Sequence, residues 1–179
     1  MSGPIAHASI AIMGKSISKK NPLWLLLIAT QVPDLMFYFF QFIGVEYQAE
    51  TIIDFVNGWT YLKPAHIPWS HGLFMCIVYS IVMASVVFLF YRRFRLSFIA
   101  GLMVMSHWLL DFIVYDNLPL FFKDKPTVGL GLVKSPVGVK IATAIEVISV
   151  IAVLLYGTKY FIKKRKAKKS TIQEGISND

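Results

Sequence analysis

The chain predicts an all-α fold, a bundle of four long transmembrane helices with a short helix at the N-terminus. Three observations lead there. Of 179 residues, 56% are hydrophobic and 16% are charged, whereas an ordinary soluble domain carries about 25% charge and under about 50% apolar residues. Four stretches approach the roughly 20 apolar residues that cross a bilayer. Basic clusters flank those stretches. Mean hydropathy is +0.60, which excludes a disordered chain and argues against a water-soluble globule. The single cysteine, Cys76, leaves neither a disulfide framework nor a cysteine metal site. The length suits one domain: residues 1–169 form a membrane-embedded unit, and 170–179 read as a disordered cytoplasmic tail.

The elements follow in order. Pro4 to Met13 is apolar but too short to span, and no basic region precedes it as in a signal peptide. It reads as a short helix dipping into the protein, down to Lys15. Gly14 and Asn21-Pro22 then punctuate the return into the first long span, Leu23 to Ile43. The second span, Gly72 to Tyr91, carries no charge. The third, Leu96 to Tyr115, holds His107 and Asp111. The fourth, Ile141 to Ile162, holds Glu146 and Lys159. A helix satisfies its own N–H and C=O groups in lipid, so each span reads as helical. Between spans lie two longer connections, Gly44 to Ser70 and Asp116 to Lys140. The first has Glu46, Glu50 and Asp54 with interfacial aromatics Tyr47, Trp59 and Tyr61. The second is rich in glycine and proline and reads as a loop that can form a lip.

The basic residues orient the bundle. Lys15, Lys19 and Lys20, then Arg92, Arg93 and Arg95, then Lys163, Lys164, Arg165, Lys166, Lys168 and Lys169 make 12 of the 18 Lys and Arg. With four spans all three clusters fall on one side, which the positive-inside rule makes cytoplasmic. The expected location is the cell's inner or plasma membrane, multi-pass, with the C-terminus cytoplasmic. The basic tail reads as a headgroup anchor. No nucleic-acid partner is expected, since the run lacks interleaved aromatics.

An ionisable group within a bilayer costs about 2.5–3.5 kcal/mol on insertion scales, so it needs a partner or a role. All four histidines, His7, His66, His71 and His107, lie in or beside apolar segments, as do Asp34, Asp111 and Glu146. Each has a bland reading. His107 and Asp111, four apart, share a helix face; they suit one cation, or merely neutralise each other. His66 and His71 flank Pro68, which is well placed as the first residue of the second long helix; they converge from loop and helix, or are interfacial. Asp34 follows Pro33 at a kink; it is a ligand, or bonds a neighbouring helix. Glu146 is a base, or stays solvated near the surface. His7 is a ligand, or a core histidine.

Depth joins them. At 1.5 Å per residue, His107 lies about 18 Å and Asp111 about 24 Å above Arg95, and Asp34 about 20 Å above Asn21. Glu146 lies about 25 Å above Lys163, His71 about 31 Å above Arg92, and His7 about 12 Å above Lys15. Most of these cluster in the outer half of a core about 30 Å thick. Agreement in level on different helices points to a shared metal site.

The motif order resembles the bacterial inner-membrane-associated, metal-dependent hydrolases. The family has an early histidine in a short apolar helix, then Pro-Asp, His-x4-His and Ser-His-x3-Asp. Here these are His7, Pro33-Asp34, His66 to His71, and Ser106-His107 to Asp111. The match covers about residues 5 to 117. More distantly the order is similar to the zinc-dependent phospholipase C and single-strand nuclease superfamily, in which Glu146 would stand at a late glutamate. Two positions depart. Met36 stands where a second acid is frequent, which would lower the metal number. Ile67-Pro68 replaces Arg-Gly, which removes a phosphate clamp.

Imidazole and carboxylate without thiolate suit zinc, with manganese or iron as alternatives. The leading expectation is metal-assisted hydrolysis of a phosphoester, the phosphate being implied only through that superfamily. Asp34, His71, His107 and Asp111 would bind the metal directly, and His66 and His7 would be further ligands or would orient the first set. An unligated carboxylate, Asp34 or Glu146, would act as base. Lys123, Lys125 or Lys134 would meet an anionic substrate. The outer-half position favours membrane lipids or a lipid-linked substrate as partner. Two alternatives are a small metal or proton carrier, which as a homo-oligomer would make up for its few spans, and a non-catalytic protein with a structural metal.

Overall fold

The computed structural model describes residues 4–17, 21–48, 50–54, 59–63, 65–123 and 125–176. The described chain is mostly helical. Helix α1 is Pro4–Ile17, α2 Leu23–Phe42, α3 Leu73–Tyr91, α4 Phe94–Val114 and α5 Pro136–Ile176. Four of these contain a window long and apolar enough to cross a membrane: α2, α3, α4 and Pro136–Tyr156 of α5. The protein is a multi-pass membrane protein built as a helical bundle.

α4 is the central helix. Its buried residues include Ala100, Gly101, Val104, His107, Trp108 and Asp111, a stripe at the three-to-four spacing of one helix face. α2 answers with Leu26, Ala29, Thr30, Pro33 and Phe37, all buried, while Trp24, Ile28, Leu35 and Phe42 are exposed and face lipid. Lipid is as apolar as the side chains, so helices in it associate by close packing rather than by hydrophobic drive. Ala11 of α1, Ala29 of α2 and Met103 and Val104 of α4 meet in one core. There Gly14 lets α1 settle on α4: a Cβ on it would lie 3.1 Å from Met103 Sδ.

α3 is uniformly apolar, and only Cys76 and Val87 are buried in it. It forms a tight antiparallel pair with α4 through Arg92, whose left-handed backbone (φ 51°) closes the helix. Gly101 makes that pairing close. A Cβ there would lie 2.9 Å from the Ser80 carbonyl oxygen. Gly101→Val is expected to force the pair apart at a cost of about 1–3 kcal/mol. That corresponds to a fall of about 2–12 °C in the thermal midpoint in detergent; an unshifted midpoint would show that α3 and α4 do not meet there.

The connections are more structured than loops. After α2 an antiparallel hairpin forms, β1 Glu50–Asp54 with β2 Trp59–Lys63, and an isolated bridge joins Tyr47 to His66. After α4 come β3 Leu118–Pro119 and β4 Thr127–Val128, paired antiparallel, and a 3-10 turn at Leu132–Lys134.

Several boundaries differ from the sequence reading. α1 runs past Met13 to Ile17, and Lys15 reaches the Asn21 carbonyl. α3 starts at Leu73, not at Pro68, because 68–70 form a turn in which the His71 N–H bonds the Ile67 carbonyl at 3.0 Å. α5 starts at Pro136, five residues before Ile141. The Ser135 hydroxyl caps it by accepting the Gly138 N–H at 2.9 Å, and proline suits the first helical position. α5 also continues through the segment expected to be a disordered tail, as far as Ile176. Lys, Arg, Ala, Gln and Glu there are good helix formers, and no proline interrupts them.

Candidate metal centre

Four segments carry donors to one point between α1, α2, α4 and the turn before α3. Pro33 of α2 has no N–H, so the turn below it is freed from regular helix bonding. Asp34 follows at once and projects into the bundle. His107 and Asp111 sit one turn apart on the buried face of α4. The turn at 67–71 delivers His71. α1 delivers His7, whose ring stacks on His107 at 3.7 Å between centroids and 6° between planes.

The distances describe a cage. His71 Nε2 is 3.4 Å from Asp34 Oδ1 and 3.7 Å from Asp111 Oδ2. His107 Nε2 is 3.7 Å from Asp34 Oδ1 and 3.6 Å from Asp111 Oδ2. Asp34, His71 and His107 offer donors within 4.8 Å of one another, as do His7, His107 and Asp111. These spacings are long for hydrogen bonds. Ligands about 2.0–2.1 Å from one tetrahedral ion stand about 3.3–3.4 Å apart, close to what is seen. His71 Nε2, His107 Nε2 and Asp34 Oδ1 are buried and make no hydrogen bond among the described residues. Buried polar atoms without partners are costly, and donors ringed around one point are the arrangement a cation would satisfy. The residues therefore fit a divalent metal.

The far side of each imidazole is held. His107 Nδ1 is 2.8 Å from the Thr30 carbonyl oxygen, in the turn that Pro33 loosens. A carbonyl only accepts, so Nδ1 carries the proton and Nε2 turns its lone pair to the cage. His71 Nδ1 is 2.7 Å from the Ser70 hydroxyl. Such partners orient a metal-binding imidazole and fix its tautomer.

A pocket of about 340 Å³ opens beside the cage. His71 and Asp111 form part of its wall, with Phe37, Ile67 and Leu118 as apolar surface and Gln48 and Asn117 as neutral polar groups. The pocket reaches the donors through His71 and Asp111.

The structure thus brings together His7, Asp34, His71, His107 and Asp111. It places His66 elsewhere. That ring stacks on Tyr47 at 5.5 Å, and its backbone pairs with Tyr47. With Pro68 in a turn instead of a helix, the two histidines of the His-x4-His pair diverge. Glu146 lies on α5, and its side chain falls outside the described residues. Lys134 pairs with Asp116; Lys123 and Lys125 are exposed and, like Lys134, do not line the described pocket. Sequence reasoning missed three supporting groups: the Thr30 carbonyl, Ser70 and Glu46. Ser70 left a faint signal as a hydroxyl beside His71. Glu46 left none, since it read as one of several loop acids.

No protein-family model, curated protein or solved structure matches the chain. The likeness to the inner-membrane hydrolases rests on the motifs alone.

Proposed function

We propose that this chain is a membrane-bound, metal-dependent hydrolase acting on a phosphoester of a lipid or lipid-linked molecule. The observation that carries the reading is the ring of buried imidazole and carboxylate donors, drawn from separate segments and opening onto a pocket. The basic ends of the bundle belong on the cytoplasmic side, which puts the pocket toward the outer leaflet. Zinc is the metal that suits the donor set. When bound, it would lower the pKa of a coordinated water to about 7 and polarise a phosphoryl oxygen.

The protein's own groups do the rest. His71, His107 and Asp111 would hold the ion and leave its fourth position to water, and His7 packs against His107. Thr30 and Ser70 keep both imidazoles aimed. Asp34 is less buried than those three ligands, at 14% against 1%, and is the carboxylate we assign to taking a proton from the attacking water. The apolar wall of Phe37, Ile67 and Leu118 would seat the lipid part.

The substrate's charge follows from the pocket. Two carboxylates already balance a divalent ion. Among the described residues that line the pocket there is no lysine or arginine. A phosphomonoester brings about 1.5 to 2 negative charges at pH 7, and the unpaired part of that charge is costly to desolvate. A phosphodiester brings one. Zinc-loaded protein in detergent is therefore expected to cleave a short-chain diester lipid at least about tenfold better, in kcat/KM, than the matching monoester; a tenfold ratio is about 1.4 kcal/mol. Chelation should abolish the cleavage, and zinc should restore it. Metal bound without hydrolysis of either substrate would overturn the enzyme reading in favour of a carrier or structural site. Faster cleavage of the monoester would overturn the diester assignment alone.

A further inference from the structure

The five candidate donors are not held alike. His7, Asp34, His107 and Asp111 sit on helices, whose backbone is fixed by its own hydrogen bonds. His71 sits on the irregular turn before α3. Its placement can be no better than that of the turn. Buried backbone outside a helix is tolerated only where other groups satisfy it, so the bonds holding residues 67–71 decide where His71 points.

One of those bonds is internal, from the His71 N–H to the Ile67 carbonyl; the others come from outside the turn. Glu46 is 2% exposed, and its Oε1 accepts the N–H groups of both Trp69, at 2.7 Å, and Ser70, at 2.9 Å. The Tyr79 hydroxyl donates to the Trp69 carbonyl at 2.6 Å, and the Cys76 thiol to the Ser70 carbonyl at 3.5 Å. Of these contacts, those of Glu46 alone tie two successive N–H groups to one side chain. The fully buried Ser70 then passes the constraint on, since its hydroxyl meets His71 Nδ1 at 2.7 Å. Glu46 lies 25 residues before His71 in sequence and does not belong to the donor ring.

We infer that Glu46, acting through the Trp69–Ser70 turn and the Ser70 hydroxyl, is a positioning residue that sets the aim of His71. The inference rests on the reading of the cluster as a metal site and adds to it the device that assembles its one non-helical corner. Glu46 touches neither metal nor substrate. Its carboxylate holds two N–H groups, those hold Ser70, and Ser70 holds the imidazole so that Nε2 faces Asp34 and Asp111.

The test compares zinc affinity by chelator competition for full-length wild type, Ser70→Ala, Ser70→Thr and Glu46→Ala in detergent. Visible absorption of the cobalt-loaded proteins and the melting midpoints of the metal-free proteins complete the comparison. Ser70→Ala and Glu46→Ala are expected to bind zinc about 10–100-fold more weakly, the range for loss of a partner behind a ligand. Ser70→Thr, which keeps the hydroxyl, should restore wild-type affinity. The cobalt bands of the two weakened variants should shift, which a mere loss of fold stability would not cause in the molecules that still bind. Undiminished affinity and unshifted bands in both variants would overturn the positioning role while leaving the metal reading intact. A wild type that binds no zinc would overturn the metal reading itself, and this inference with it.

Discussion

On the proposed metal reading, replacing His107 by alanine is expected to abolish zinc binding. His107 is held on every side: its Nε2 faces both Asp34 and Asp111, its Nδ1 is anchored on the Thr30 carbonyl, and its ring carries His7. The substitution removes a proposed ligand and also the ring on which His7 stacks. Loss of a partner behind a ligand already weakens metal binding about 10–100-fold, so loss of the ligand itself should exceed that range. Two measurements check it. Metal analysis after equilibration with zinc should find the ion in wild type and under a tenth as much, to order of magnitude, in the variant. Thermal melting should agree. A ligand at 100 times its Kd stabilises the folded state by about 2.7 kcal/mol, or about 5–11 °C for a chain of this length. Wild type should show that rise on adding zinc, and the variant should not. Equal metal in the two proteins would remove His107 from the site.

The second large effect is expected at Gly72. A Cβ there would lie 2.2 Å from the Pro68 carbonyl oxygen and 3.1 Å from that of Phe121. Both are backbone atoms, so neither can swing aside as a side chain would. Gly72→Ala must displace the turn that carries His71. The expected cost is at the upper end of overpacking, about 3 kcal/mol, and zinc affinity should fall by more than about tenfold because the ligand moves with the turn. Gly44→Ala supplies the contrast. Gly44 has a φ of 76° but nothing within 4 Å of its Cβ position. A non-glycine residue there carries left-handed strain of about 1–2 kcal/mol and should leave zinc binding unchanged. If Gly72→Ala melts and binds zinc like wild type, the close turn does not exist. If Gly44→Ala also loses zinc, the effect is not specific to the turn.

The four apolar runs declared their helices because lipid leaves the backbone no other partner than itself. Asp34, His107 and Asp111, which the count from the basic clusters set at similar levels, lie in one ring. His71 joined them from a different local structure than expected. The spacing of Pro68 matched a helix start, yet the buried carboxylate of Glu46 offers Trp69 and Ser70 a better partner than a first helical turn would. His66 illustrates the converse. Its spacing from His71 implied a pair, and the turn between them sends it to Tyr47.

Composition, apolar run length and the placement of lysine and arginine by themselves determined that this is a membrane helical bundle, and which of its polar residues are costly enough to need a reason. Those are local or additive properties, read one segment at a time. Only the tertiary structure decided which donors meet, which carbonyl or hydroxyl aims each imidazole, and that a loop glutamate holds the turn of His71. Such contacts join residues far apart in sequence, 77 positions in the case of Thr30 and His107. They depend on helix rotation and on the close approach allowed by small residues, which no single segment encodes.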